Sequence, residues 1–330
     1  MKYSIFSTIV TVALLGAACG GATPVPADSV PATLVPVRIG MGFIPDIQFA
    51  PYYVAEERGY YAAEGLAVTF ETLFENDSLP LIGAGELDFA NASPEAVIQA
   101  RSQDLPVVYV MKWFEKYPIA VVSKAEQGIT TPSDLAGRTV GLPGLWGASY
   151  IGWRALLASQ GMPEDAAQLE AIDFTQVPSL AEDKVEVVVG YANNEPVQLQ
   201  AQGIEVNVLY VSDYVALASN GLVTSETFIA ERPEMVAGMV RATLRGLADV
   251  IADPDAAYEV SLDYVEGLDQ ADRDTILSLL AASIDIWQTD QPGISQLEPW
   301  ETTQATLLAM GLITEPINVS EAFTNEFVQP

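Results

Sequence analysis

Between Val37 and Pro254 short apolar runs alternate with amphipathic stretches, and Gly, Pro, Asn or Asp punctuates the joins. That rhythm predicts an α/β fold, in which strands are covered by the helices that follow them. Strands are expected over Val37 to Gly42, Ala67 to Leu73, Leu87 to Ala90, Val107 to Met111 and Ile119 to Ser123. Between them fall helices over Pro51 to Arg58, closed by Gly59, and over Ser78 to Ala84, stopped by Gly85. A third, Pro94 to Ser102, opens on a proline just after Ser93, a residue suited to capping.

A second unit of the same kind begins near Thr131. Thr131 to Arg138 reads as a capped turn, followed by a strand over Thr139 to Gly141, a Gly/Pro loop and a helix over Ala148 to Gln160. Strands follow near Glu170 to Phe174, Val185 to Val189 and Val206 to Val211, with a helix over Glu195 to Gln202 between the last two. Leu217 to Thr224 reads as a strand returning to the first unit, and the remainder is mostly helical. The expectation is therefore two α/β lobes, residues 37–120 with 217–330 forming lobe 1 and residues 121–216 forming lobe 2. The chain crosses between them twice, near Tyr117 to Lys124 and near Tyr210 to Leu217. Two crossovers make a hinge with a cleft, and loops at the carboxyl ends of parallel strands are expected to line it.

Ahead of the folded part, Lys2 precedes an apolar run from Ile5 to Ala18. A helix of that length falls short of a hydrocarbon core of ~30 Å, but it suits the core of a signal peptide, assigned to residues 1–18. Cys19 is the chain's one cysteine, so it has no partner for an internal disulfide. Its place after Gly16, Ala17 and Ala18 resembles a bacterial lipobox, which implies cleavage before the cysteine and acylation of its thiol. Residues 19–36 then form a tether rich in proline (Pro24, Pro26, Pro31, Pro36). The expected location is the extracytoplasmic face of the cell membrane, held there by lipid alone.

Composition removes several classes of function. Lys and Arg number 14 against 44 Asp and Glu, and the net charge of −30 is repelled by phosphate backbones, so no nucleic-acid partner is expected. The chain has no histidine, which removes the usual zinc, copper and haem ligands as well as Ser-His-Asp and Cys-His catalysis. No EF-hand spacing is present. No catalytic residue, metal or cofactor is predicted.

Binding residues are sought where loops leave strands. Phe43, Phe49 and Tyr52 follow the first strand, Trp113, Phe114 and Tyr117 the fourth, Trp146 sits in the Gly/Pro loop, and Tyr191 follows a strand of lobe 2. A flat ring stacked between such faces gains ~0.5–1.5 kcal/mol per pair beyond area burial, although each aromatic could equally be core. Asn193 and Asn194 offer both donors and acceptors to a ring edge, and Glu195 offers an acceptor. Asp46, Asn91, Ser93 and Glu95 could serve from the other lobe. Capping is the competing role for Ser93 and Asn194, and a first-turn dipole partner for Glu95 and Glu195. Ser149 lies in the first turn of the helix after the Gly-rich loop, where an anion could sit. Lys112 and Lys116 alternate with the aromatics and are expected to point away. A neutral ligand is favoured over an anionic one.

Several ordered stretches resemble one family. The run from Gly42 to Tyr61, which includes Pro51-Tyr52-Tyr53-Val54-Ala55-Glu56, resembles the opening of ABC-importer binding proteins for thiamine pyrimidine precursors and sulfonates. Leu87 to Ala96, Asp134 to Gly141 and Gly190 to Pro196 are similar to the same family, so the resemblance covers most of Val37 to Pro254. It is strongest to the branch holding pyrimidine-precursor-binding and riboflavin-binding proteins. The resemblance implies a periplasmic-binding-protein-like fold (type II), permease and ATPase partners, and a small ligand on which no chemistry is done. Riboflavin is the first expectation, a thiamine pyrimidine precursor the second and a sulfonate the third. A ligand-sensing surface module without transport is the reading from another class. Asp46 and Phe49 stand where pyrimidine binders commonly show Asn and His, so their pyrimidine contacts do not carry over. The fold is shared with a yeast-type pyrimidine synthase that consumes an active-site histidine, which this chain lacks.

Overall fold

A computed structural model describes Met1 and residues 33–328. The expectations for the leader, for Cys19 and for the tether up to Ala32 lie outside these residues. The strands are β1 (Val35–Gly42), β2 (Leu66–Phe74), β3 (Phe89–Ala92), β4 (Val107–Lys112), β5 (Ile119–Lys124), β6 (Thr139–Leu142), β7 (Gln168–Ala171), β8 (Val187–Tyr191), β9 (Val206–Tyr210) and β10 (Gly221–Ser225). Helices α1 (Ala50–Glu57), α2 (Tyr60–Ala63), α3 (Glu75–Gly83) and α4 (Pro94–Arg101) belong to the first run of strands. Helices α5 (Gly147–Ser159), α6 (Gln176–Ala181) and α7 (Glu195–Ala201) belong to the second. The chain ends in α8 (Glu226–Glu231), α9 (Pro233–Ala252), α10 (Pro254–Ser261), α11 (Arg273–Trp287) and α12 (Leu297–Ala309).

The strands form two five-stranded sheets, ordered β2-β1-β3-β10-β4 and β7-β6-β8-β5-β9. In each, the first three strands are mutually parallel and the fourth runs antiparallel to both neighbours. The antiparallel strands, β10 and β5, are the two that the chain enters directly after crossing over, along residues 211–220 and 113–118. This is the two-lobed α/β fold expected from the pattern.

Three differences matter for the site. The Ile119 to Ser123 run, expected after the first four strands and straddling the expected lobe boundary at residue 120, is β5 and bonds β8 and β9 in the second sheet. Its residues are buried on both faces, and an unbroken apolar run marks a central strand without saying of which sheet. The strand expected up to Phe174 stops at Ala171, a mostly exposed edge strand, which leaves Phe174 in the following loop. Pro178 concealed α6, whose first turn accommodates it.

Each lobe has its own core. Val37, Ile39, Tyr52, Tyr61, Val240 and Trp287 are buried around the first sheet, and Val121, Val140, Trp153, Leu156 and Val187 around the second. Each fully buried aliphatic is worth ~1.5–3 kcal/mol relative to exposure. Helix α11 packs on α10 and on the loop at Ile47–Phe49, and also touches α7 of the other lobe.

Candidate functional site

The carboxyl ends of the parallel strands in both sheets open onto one cleft. Met41 to Phe43 leave β1, Phe74 to Asn76 leave β2, and Trp113 and Phe114 follow β4. From the other lobe come Pro143 and Trp146 to Ser149 after β6, Phe174 and Gln176 after β7, and Tyr191 with Asn193 to Glu195 after β8. Its empty volume is about 1160 Å³ with the open mouth included.

Local chemistry fixes the two principal loops. β1 ends at Gly42 with φ +84°, a conformation glycine adopts without strain, and an added Cβ would stand 3.0 Å from the Asn91 carbonyl. Asp46 then caps the Ile47–Phe49 turn by accepting from the Gln48 N–H at 3.0 Å. In lobe 2 the Asn194 N–H donates to the Tyr191 carbonyl at 2.9 Å, and Pro196 helps to start α7. The Tyr191 N–H donates to Glu195 Oε2 at 2.7 Å, and the carboxyl lies against Gly190, where any Cβ would collide with it.

Of the predicted residues, Phe43, Asp46, Phe49, Asn91, Trp113, Trp146, Ser149, Tyr191, Asn193, Asn194 and Glu195 are brought together around the cleft. The other four are placed elsewhere. Tyr52 is fully buried behind the wall and donates to Asn91 Oδ1 at 2.5 Å, so it holds a lining residue in place. Ser93 caps α4 by accepting from the Ala96 N–H at 3.3 Å, while its own N–H donates to Glu75 Oε2 at 2.8 Å. Glu95 and Tyr117 are buried together: the Tyr117 hydroxyl lies 2.7 Å from Glu95 Oε1 and 3.1 Å from the Ala148 carbonyl. One hydroxyl hydrogen serves one acceptor, and a neutral Glu95 carboxyl supplies the second. Ser93 and Glu95 took the capping and core roles at the start of α4, Tyr52 is buried on α1, and Tyr117, in the loop before β5, is drawn into the core beside Glu95.

Residues the sequence reading did not select include Phe74, Glu75, Asn76, Phe174, Gln176, Asn220 and Ser283. The first three sit at the β2–α3 junction, one step past a strand end, which was the usable signal. Phe174 and Asn220 fall inside the predicted strands Glu170 to Phe174 and Leu217 to Thr224 but lie in loops beside β7 and β10. Ser283 arrives from α11, far along the chain, and nothing local announces it.

The walls are aromatic. Trp113 packs on Trp287 at 5.7 Å, on Phe49 at 5.6 Å and edge-on to Phe114 at 4.7 Å between ring centroids. At the rim, Phe74 stacks on Phe174 at 6.2 Å, Phe43 meets both edge-on, and Trp146 meets Phe174. These contacts join the lobes across the mouth.

The polar groups share a sign. The lining holds no Lys or Arg, whereas Asp46, Glu75 and Glu195 all belong to it. Loss of solvation raises the pKa of each, that of Glu195 to about 7, and burial backed by Glu75 raises that of Glu95 to about 8. Asn91 Nδ2, Trp113 Nε1, Asn193 Oδ1 and Asn220 Oδ1 are buried without a partner among the described residues. Buried polar atoms ordinarily have partners, so these amides and the indole leave hydrogen bonds for a ligand to complete. Among the described residues no cluster of three or more His, Cys, Asp or Glu could hold a metal.

Comparison with known proteins places the chain in one family. A family model described as "NMT1/THI5 like" matches residues 46–257. The riboflavin-binding protein RibY of Chloroflexus aurantiacus is 42% identical over 99% of this chain and 98% of its own. The formylaminopyrimidine-binding protein of Halalkalibacterium halodurans is 29% identical over 88% of this chain and 89% of its own. A 4-amino-5-hydroxymethyl-2-methylpyrimidine phosphate synthase of Legionella pneumophila is 22% identical over 84% of this chain and 87% of its own. Among solved structures, the periplasmic aliphatic sulphonate binding protein SsuA of Escherichia coli superposes with a TM-score of 0.71 at 12% identity, covering 88% of this chain and 92% of that one. This likeness is one of fold.

Proposed function

The chain belongs to the NMT1/THI5-like family, and from that premise we propose that it is the extracytoplasmic binding component of an ABC importer that captures riboflavin for a permease and its ATPase. The observation that carries this is the cleft lining: aromatic faces from both lobes, unpartnered amide and indole groups among them, and no basic side chain. A neutral tricyclic ring suits stacking faces and amide edges, and its polyol chain suits the Asp, Asn and Ser groups nearby. The name and near full-length match of the Chloroflexus relative support the same choice.

Charge weighs against a sulfonate. An anion buried beside Asp46, Glu75 and Glu195 would have no cation to offset its lost hydration, a cost of several kcal/mol. A thiamine pyrimidine precursor is the second reading, favoured by the Halalkalibacterium relative and by carboxyl groups that can face an amino-substituted ring. Binding without turnover fits a chain that has no histidine. Anchoring through Cys19 belongs to the same proposal, and among the described residues no helix is long and apolar enough to cross a membrane.

Titration of riboflavin into the purified protein, followed by flavin absorbance and fluorescence, should give saturable one-to-one binding at micromolar protein with quenching of the flavin. Calorimetry with a thiamine pyrimidine precursor runs in parallel. Heat from the pyrimidine with no spectral change from the flavin would move the assignment to the second reading.

A further inference from the structure

We infer that Ser283 is a positioning residue that sets the orientation of the Asn193 amide, so that the cleft demands a hydrogen-bond donor on the ring edge of its ligand. The inference deepens the proposed binding role and rests on it.

Asn193 lies in the turn after β8, in lobe 2, and is 4% exposed. Its Nδ2 donates to Ser283 Oγ at 2.8 Å, a contact that crosses to α11. Ser283 is 1% exposed, and its hydroxyl donates to the Leu279 carbonyl one turn back at 2.8 Å, a common way for a buried helical serine to place its single hydrogen. With that hydrogen committed, Ser283 Oγ faces Asn193 only as an acceptor. The amide must therefore turn its nitrogen to the serine. Reversing it would set two oxygens against each other at hydrogen-bond distance.

The consequence falls on the other half of the amide. Asn193 Oδ1 is left in the cavity wall, buried and unpartnered, as an acceptor that cannot become a donor. Asn194, its neighbour, already uses its Oδ1 to accept from Gln198 Nε2 at 2.5 Å. A ligand that brings an N–H to Asn193 completes the wall, whereas one that brings an acceptor or a methyl group leaves a buried carbonyl unpaired. In a flavin the corresponding group is the imide N–H. In a thiamine pyrimidine precursor it is the ring amine.

The test compares matched ligands. Riboflavin and N3-methylriboflavin present the same stacking surface and differ at the imide donor. Wild-type protein should bind the methylated flavin roughly tenfold to hundredfold more weakly. In Ser283→Ala the amide is free to turn, and in Asn193→Ala the acceptor is gone, so both variants should bind the two flavins within about threefold of each other. A serine that merely supported the fold would weaken both ligands alike and leave their ratio unchanged. Equal binding of the two flavins by wild type, or an undiminished ratio in either variant, overturns the inference. If neither flavin binds, the flavin reading has failed. The donor rule is then judged on a thiamine pyrimidine precursor and its N,N-dimethylamino derivative, where equal binding overturns it.

Discussion

On the lobe 1 side of the cleft Phe49, Trp113 and Phe114 are at most 4% exposed, whereas on the lobe 2 side Trp146 and Phe174 are 51% and 53% exposed. The first group is locked by mutual packing and by Trp287 behind it. In the second, Phe174 touches Phe43 and Phe74 across the gap, while Trp146 touches Phe174 within its own lobe. A wall whose side chains are already fixed loses little entropy when a ring settles on it. Aromatics at a rim are ordered by the ligand and by the opposite jaw. On the proposed function, lobe 1 is the preformed platform and lobe 2 the closing surface that carries the proposed edge readers Asn193 and Glu195.

The largest expected effect breaks the platform. Trp113→Ala would remove a buried ring from among Phe49, Tyr52, Phe114 and Trp287 and should cost ~3–5 kcal/mol of folding stability, read by urea or thermal unfolding. Wild-type stability in that variant would show that the wall is not a packed unit.

A second effect lies behind the platform, at the Glu95–Tyr117 pair. The Glu95 carboxyl is pushed from 4.5 up to about 8, so between those values the folded chain holds a proton that the unfolded chain has released. Its contribution to stability is fully present below the unfolded pKa and is lost as pH rises through the folded one. Each tenfold difference in proton affinity between the two states is worth ~1.4 kcal/mol, so the loss amounts to a few kcal/mol between about pH 5 and about pH 9. Glu195, raised to about 7, adds a smaller total loss in the same direction over the lower part of that window. Glu95→Gln keeps a neutral, hydrogen-bonding group beside Tyr117 and should flatten the slope while raising stability at the alkaline end. Unfolding free energies measured across that range decide it, and a wild-type slope retained by the variant would assign the dependence to other groups.

The two walls also differ in how far the sequence disclosed them. Strand ends and punctuating glycines located the cleft, because alternating apolar runs and positive-φ positions are local properties; β1, its Gly42 turn and the α7 start at Glu195 all came from such signals. The expected boundary at residue 120 cut through β5, since a strand buried on both faces carries no mark of its neighbours. Ser93 and Glu95 share composition with lining residues but cap and fill the start of α4, and Tyr117, in the loop before β5, follows Glu95 into the core. Tyr52 differs from Tyr191 in the same way: one reaches the ligand wall through Asn91, the other stands in it. Ser283 depended on packing between helices distant along the chain, which periodicity does not encode.

The smallest effect sharpens the contrast most. Trp146 is the residue before α5, its indole resting over Gly144, where a side chain would collide with it, and its nearest aromatic neighbour is Phe174 at 6.4 Å. Because half of the ring is already exposed, truncation to alanine removes far less buried area than at Trp113 and should cost only about 1–2 kcal/mol of folding stability. Ligand binding is another matter, since a ring held between the lobes loses one stacking face and the area it covered, together worth about tenfold in affinity. Paired unfolding and flavin titrations on Trp146→Ala and Trp113→Ala therefore separate two costs that a single measurement would merge. If Trp146→Ala unfolds as readily as Trp113→Ala, or binds flavin as tightly as wild type, lobe 2 is not the closing surface and the asymmetry between the walls has another origin.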